Sequence, residues 1–381
     1  MRAGIDGMLL SRCCSGVEVS IRNLARSLAR WGQEEYVLYV PAGFPEHDVT
    51  GPRFRTKRIA VAAHVRTLRI LWEQIALPSR LAGDACDLAH APGYLAPLRA
   101  RVPVVITVYD LIALQYPRWC KPLNRMNYRV FLPLSVRKAD GIIVPSRATA
   151  EAVRSVFPHA AEKVKIIPLG VDPAFRVIPD PSLREETRRR LGLPFRFILF
   201  VGRHEPKKNL TALIDAFHLI RSHGGCACKL VLAGTEGWRQ EPVRRRIRQL
   251  GLEAEIVFPG YVSQETLPLL YNLADVFVFP SLYEGFGLPP IEAMACGVPV
   301  VCSDGGALPE VTGDAALRVD PSDTPRLAAA IQSVMQDSEL RRQLIEKGLR
   351  RAQALQWEAA VRATEAFYRE VAEVKPKRTA R

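Results

Sequence analysis

The chain has 381 residues, 48% hydrophobic and 24% charged, which is the composition of a folded globular protein long enough for two domains. The net charge of +14 is uneven: residues 1–172 hold 24 Lys and Arg against 14 Asp and Glu, and the remainder holds 29 against 25. No run of 18 apolar residues occurs, so no membrane-spanning helix is expected and any lipid contact would be peripheral.

The first residues, Met1 to Leu10, include Arg2 and Asp6 and lack the three-part form of a signal peptide. The eight cysteines (Cys13, Cys14, Cys86, Cys120, Cys226, Cys228, Cys296 and Cys302) form no C-x-x-C pair and suit a reducing cytosol without structural zinc. Short apolar runs at Arg2–Ile5, Tyr36–Val40, Pro103–Val108, Gly141–Val144 and Val164–Ile167 read as strands. Amphipathic runs at Val17–Trp31, Val65–Leu81 and Leu123–Lys138 read as helices between them. This alternation predicts a parallel sheet with helices on both faces.

Asp172–Pro194 is rich in proline and carries a charged run from Arg184 to Arg190, so residues 173–194 read as an exposed linker. The rhythm then repeats. Strands are expected at Phe197–Val201, Lys229–Ala233, Glu255–Phe258, Val276–Phe279 and Val298–Cys302. Helices are expected at Asn209–Ser222, Pro242–Leu250, Ser263–Leu273, Pro289–Cys296, Pro325–Gln336 and Ser338–Leu355. The fold class is therefore α/β, with two doubly wound, Rossmann-like domains over 1–172 and 195–356. Ligands of such sheets bind beyond the carboxyl ends of the strands, and two such domains face to face would make a cleft.

The richest stretch runs from Tyr283 to Val301. Gly285 and Gly287 permit close backbone approach, and Pro289 and Pro290 suit a helix's first turn. A glycine-rich loop opening a helix is a natural anion site. Glu284 and Glu292 flank that start, where carboxylates would accept hydrogen bonds from sugar or ribose hydroxyls. On chemistry alone the stretch reads equally as a capped helix in which Glu292 only favours the dipole. A second signal is Gly202-Arg203-His204-Glu205-Pro206-Lys207-Lys208-Asn209 at a strand end. There Arg203 offers a planar fork and Lys208 a point charge to phosphate oxygens. Without further context this too reads as a solvated basic loop.

The run Glu284-Gly285-Phe286-Gly287-Leu288-Pro289 through Glu292-Ala293-Met294-Ala295 resembles the Glu-X7-Glu signature of glycosyltransferase family 4, retaining enzymes of the GT-B fold. The resemblance implies that Glu284 contacts a donor sugar near Phe286, Gly287 and Leu288, and that Glu292 holds the ribose. It makes Arg203 and Lys208 a diphosphate clamp and Val262, after Gly260-Tyr261, a contact of the base. Ala139–Ser146, Pro168–Asp172 and Ser303–Val311 match the family in register. In the first half Gly16 stands where the family has a glycine-rich turn near the donor phosphate, with Glu18 in place of a second small residue. Val105–Ile112 resembles a strand that often ends in His-Asp-Leu. Here Tyr109 takes the histidine's place and precedes Asp110, and both are candidates on the acceptor side. A lone histidine such as His90 reads more readily as structural. Residues 357–381 resemble the family's closing helix, returning to the first domain, with a basic tail at Lys375–Arg381.

The implied function is retaining transfer of a sugar from a nucleotide-sugar, with GDP-mannose the nearest in flavour. The acceptor would be a saccharide or lipid-linked saccharide of a cell-surface polysaccharide. No Asp-x-Asp occurs, so no obligatory metal and no cofactor are expected. The alternatives are a sugar-nucleotide epimerase, a nicotinamide oxidoreductase, or a non-catalytic binder of nucleic acid or anionic membrane. No G-x-G-x-x-G follows the first strand and no nucleic-acid-binding motif occurs, so no nucleic-acid partner is expected. The expected location is cytoplasmic, with the basic first half docked peripherally on an anionic inner membrane face. Arg66, Arg69 and Arg80 beside Leu68, Ile70, Leu71 and Trp72 form a candidate interfacial stretch, although a core-facing helix with a solvated edge explains them as well.

Overall fold

The computed structural model describes residues 1–10, 15–45, 49–224, 227–238 and 241–374. Cys13, Cys14, Cys226 and the tail Lys375–Arg381 lie outside the described residues. The chain divides into two compact units, Met1–Gly170 with Trp357–Arg381, and Val171–Gln356.

The first unit is built on a seven-stranded parallel sheet. Its strands are β1 Arg2–Asp6, β2 Glu35–Pro41, β3 Phe54–Ile59, β4 Leu88–Ala91, β5 Val104–Thr107, β6 Gly141–Val144 and β7 Val164–Ile166. Their order is β3-β2-β1-β4-β5-β6-β7, so the winding reverses between β1 and β4. The central strands β4, β5 and β6 are buried along their whole length. That is why they read as unbroken apolar runs rather than alternating ones. The helix Trp357–Val374 packs here through Trp357, Val361, Phe367 and Tyr368. Its buried Glu365 fastens it by accepting the N–H groups of Gln33 (2.6 Å) and Glu34 (3.0 Å) and the Tyr36 hydroxyl.

The second unit holds β8 Phe197–Val201, β9 Lys229–Ala233, β10 Ile256–Gly260, β11 Val276–Phe279, β12 Val300–Ser303 and β13 Ala316–Val319. They form a six-stranded parallel sheet in the order β10-β9-β8-β11-β12-β13, reversing between β8 and β11. Phe197, Phe200, Phe277 and Phe279 are fully buried in these two central strands. Burying each ring stabilises the sheet by about 2 kcal/mol. The Phe200 and Phe279 rings stack at 5.9 Å across the strand pair.

The stretch 173–194, read as an exposed linker, has secondary structure of its own. It carries a helix, Pro181–Arg190, capped by Asp180 and with Pro181 in its first turn. Arg184 donates to the Asn272 carbonyl at 2.7 Å and the Ile178 N–H to Asn272 Oδ1 at 2.8 Å, which ties the stretch to the second unit. The proline at Pro181 marks a helix start here, not a break.

Candidate functional site

In each unit the reversal of strand order opens a gap between loops at the carboxyl ends, where doubly wound sheets take ligands. In the second unit β8 leads into Gly202-Arg203 and Lys208, and β11 leads into Ser281–Gly287. The two central strands therefore deliver the basic loop and the glycine-rich loop to the same end of the sheet.

Lys208 and Glu284 meet directly, with Nζ donating to Oε1 at 2.6 Å. Lys207 stands 3.7 Å from the other carboxylate oxygen. Lys208 Nζ also lies 4.5 Å from the centroid of the Phe279 ring, a cation–π contact that β11 supplies. Glu284 is only 7% exposed. Burial pushes its carboxyl up, but Lys207 and Lys208 outweigh that and hold it down at about 2. Lys208 responds differently: burial pulls its ammonium down, against the pull of Glu284 and aided by the like charge of Lys207. Two cations share one carboxylate, so the carboxylate is firmly ionised. Arg203 does not join this pair. Its side chain is 53% exposed and its Nη1 is 3.7 Å from Glu205.

Backbone geometry fixes the loop. Gly287 has φ +100° and opens the helix Leu288–Ala295, with prolines in its first turn. A Cβ there would fall 2.7 Å from Leu308 Cδ2. Phe286 is buried and Leu288 half-buried beside it. The Ala307 N–H donates to the Glu284 carbonyl at 2.8 Å. At Gly306, φ +65°, a Cβ would lie 2.3 Å from the Glu284 carbonyl oxygen. A Gly306→Ala substitution is therefore expected to cost about 2 kcal/mol of stability and to displace Glu284. Thermal unfolding and turnover measured together check this, and a lowered Tm with unchanged turnover would separate the backbone from the site.

Glu292 sits inside that helix, 6% exposed, and accepts a hydrogen bond from the Tyr271 hydroxyl at 3.1 Å. Burial raises its carboxyl to about 7, partly offset by Tyr271 and reinforced by the charge of Asp172. The two glutamates thus face different partners: one is held ionised by lysines, the other is poised near neutrality. Val262 is buried in the loop after β10.

The remaining candidates lie in the first unit. Gly16 is the first residue of the helix Gly16–Trp31, and a Cβ there would meet nothing within 4 Å among the described residues. Glu18 completes a capping box: the Ser15 N–H donates to its carboxylate at 2.6 Å, and its own N–H donates to Ser15 Oγ at 3.3 Å. That gives the residue in the small-residue place a local reason. Asp110 follows β5, and its Oδ1 accepts the Ile112 N–H at 3.1 Å. Tyr109 lines a small cavity with His90, Thr107 and Trp357. His90 is fully buried, with Thr107 Oγ1 at 2.8 Å from Nε2 and the Tyr368 hydroxyl at 2.6 Å from Nδ1. Burial lowers its imidazole to about 3, so it is a neutral packing residue that ties β4 to the closing helix.

Comparison with known proteins bears on these loops. The Glycosyl transferases group 1 model matches residues 184–351, and the Glycosyltransferase Family 4 model matches residues 14–175. The O-antigen chain mannosyltransferase B of Escherichia coli is 34% identical over 272 residues, covering 71% of this chain and 70% of that protein. The chain belongs to glycosyltransferase family 4. The MMP alpha-(1->4)-mannosyltransferase of Mycolicibacterium hassiacum is 29% identical over 408 residues, covering 93% and 94% of the two chains. Among solved structures, a sucrose-phosphate synthase from Thermosynechococcus elongatus superposes with a TM-score of 0.80 at 24% identity, covering 98% of this chain and all of that one. The fold is GT-B and the protein is a glycosyltransferase.

Four residues contribute without a motif of their own. Lys207 doubles the positive charge on Glu284; its signal is only its place in the Lys-Lys pair. Gly306 backs the Glu284 backbone and Gly305 that of Leu282, and both stand inside the Ser303–Val311 run. Tyr271 sits mid-helix, and its pairing with Glu292 spans 21 residues.

Proposed function

We propose that this glycosyltransferase moves mannose from GDP-mannose, with retention, to a saccharide or lipid-linked saccharide of a cell-surface polysaccharide. The observation that carries the reading is the Glu284 carboxylate, held ionised by Lys207 and Lys208 at the switch point of the second sheet. A donor sugar over that carboxylate would find an acceptor for its hydroxyls, while Lys208 and Arg203 take the diphosphate. The sugar C1–O bond to the phosphate breaks with its electron pair leaving on the diphosphate. The acceptor hydroxyl attacks C1 from the same face and gives its proton to the departing phosphate oxygen. Charge grows on that phosphate during the step, which fixed cations stabilise. Glu292 receives the ribose hydroxyls, Val262 packs on the base, and the backbone at Phe286, Gly287 and Leu288 borders the sugar. In the first unit the reading assigns Gly16 to the donor phosphate and Tyr109 and Asp110 to the acceptor. The mannosyl reading is supported by the Escherichia coli and Mycolicibacterium relatives, both named mannosyltransferases.

A panel of nucleotide-sugars, scored for slow hydrolysis and for transfer to mannosides, tests the donor. GDP-mannose is expected to turn over fastest, chelator is expected to leave the rate unchanged, and the anomeric configuration read by NMR tests retention. Inertness toward every nucleotide-sugar overturns the reading.

Membrane docking rests on two helices of the first unit. Arg66–Gly83 exposes Leu68, Leu71 and Ile75, and Pro122–Lys138 exposes Leu123, Met126, Val130 and Leu134. Lys121, Arg125 and Arg129 are exposed along the second apolar stripe. Apolar ridges edged by cations fit an anionic lipid surface. No described helix is long and apolar enough to cross a membrane. Flotation with anionic vesicles is expected to carry the protein, and Met126→Glu with Val130→Glu is expected to abolish it. Equal flotation with neutral vesicles, or none at all, contradicts the docking.

A further inference from the structure

The two lysines on Glu284 reach it in different ways. Lys208 bonds Oε1 at 2.6 Å, and its ammonium also lies against the Phe279 ring. Lys207 stands 3.7 Å from Oε2 and holds the same loop a second time through its backbone, whose carbonyl accepts the Leu282 N–H at 2.8 Å. Both side chains are mostly out of water, 18% exposed at Lys207 and 12% at Lys208. Charges this deep are weakly screened, so their balance governs what the loops can take up.

Lys207 sets that balance. The loop after β8 also carries Arg203 and Glu205, which lie 3.7 Å apart and offset one another. His204 between them is buried, and burial lowers its imidazole, so it is neutral at pH 7. The loop after β11 adds Glu284, with Ser281 as an uncharged hydrogen-bonding neighbour. Two ammoniums therefore face one carboxylate, and one positive charge is left over. Burial pushes the Glu284 carboxyl up; among the groups that hold it down Lys207 comes first, ahead of Lys208. Without Lys207, an incoming diphosphate and the buried carboxylate would compete for Lys208, and one of them would be left uncompensated.

We propose that Lys207 is a positioning residue: it keeps the Glu284 carboxylate in place and compensated, which frees Lys208 to turn from Glu284 to the diphosphate. The inference rests on the reading in which Lys208 takes the diphosphate, and it gives the neighbouring lysine a separate task. Lys207 acts through Glu284 and bonds no phosphate oxygen itself. The close Lys208–Glu284 pair is then the resting arrangement of the loops, and nucleotide binding exchanges it for Lys207–Glu284.

Titration of the full chain with GDP and with UDP tests this, in the wild type, Lys207→Met, Glu284→Gln and the double variant. Lys208 still compensates Glu284 in Lys207→Met, so the fold is expected to hold. That variant is expected to bind the preferred nucleotide about ten-fold more weakly. In the Glu284→Gln background the same substitution is expected to cost about three-fold or less, because no carboxylate then competes for Lys208. Lys207→Arg restores a cation beside Glu284 and is expected to bind within about two-fold of the wild type. A loss of equal size in both backgrounds puts Lys207 on the diphosphate itself and overturns the proposal, as does undiminished binding by Lys207→Met. Failure of the wild type to bind either nucleotide removes the donor reading and this inference together. Binding that answers to Lys208→Ala but not to Lys207→Met removes this inference alone.

Discussion

Replacing Lys208 by alanine is expected to lower nucleotide-sugar turnover about 100- to 1000-fold, the range found when a fixed stabiliser of developing charge is lost. The same change acts on the fold. Glu284 is buried, and Lys208, at 2.6 Å, is its nearest cation. Removing one partner of a buried pair leaves the other uncompensated, at a cost of about 3 kcal/mol. Lys207, 3.7 Å away, tempers that cost but cannot replace the shorter contact. The pH dependence has a definite sign. Glu284 is held near 2, below the ordinary 4.5 of a glutamate. A depressed carboxyl contributes stability that is complete above its unfolded value and disappears as pH falls through its folded value. Acid unfolding of Lys208→Ala is thus expected at higher pH than in the wild type. Adding Glu284→Gln should recover stability without activity, because the uncompensated charge is gone while the site stays empty of both groups. Acid titrations and turnover on the single and double variants decide it. An active Lys208→Ala enzyme would remove the cation from the mechanism.

Several of the strands legible in the sequence are buried on both faces. Val276–Phe279 and Gly141–Val144 are short apolar runs with no competing pattern. Of the four edge strands, β7 and β10 were legible and β3 and β13 were not. β3, Phe54–Ile59, contains Arg55, Lys57 and Arg58 and borders solvent, so it has no apolar run to read. Charges of that kind keep an edge from pairing with another chain, and they hide the strand in the process. The helix Arg147–Val156 was missed for a different reason: it is only 10 residues long and its buried face is mostly small, Ala150, Ala152 and Val153. For the site, the loops after β8 and β11 were legible because each carries its residues consecutively. What they do to one another was not. The ionisation of Glu284 depends on two lysines 76 and 77 positions away in the chain, and that of Glu292 on its burial, partly offset by Tyr271.

Glu292→Gln is expected to move stability and nucleotide affinity in opposite directions. Burial lifts the Glu292 carboxyl to about 7, above its ordinary 4.5. A carboxyl raised on folding favours the protonated native state. Wild-type stability from this group is therefore greatest below the unfolded value, falls as pH rises toward 7, and is flat above it. Glutamine has the same shape and no charge to bury, and it can still accept from Tyr271. Above pH 7 the variant is expected to be the more stable by about 2–3 kcal/mol, and the slope between 5 and 7 should vanish. Binding follows the opposite logic. In the proposed site ribose hydroxyls donate to the ionised carboxylate, so a bound nucleotide should draw the carboxyl back down and wild-type affinity should rise with pH through about 7. A hydrogen bond to a charged group contributes about 1.5–3 kcal/mol, so Glu292→Gln should weaken nucleoside diphosphate binding about 10- to 100-fold and flatten its pH dependence. Denaturant midpoints and nucleotide titrations at pH 6 and 8 measure both effects. A stabilised variant that binds nucleotide as well as the wild type would make Glu292 a buried acid of the helix and nothing more.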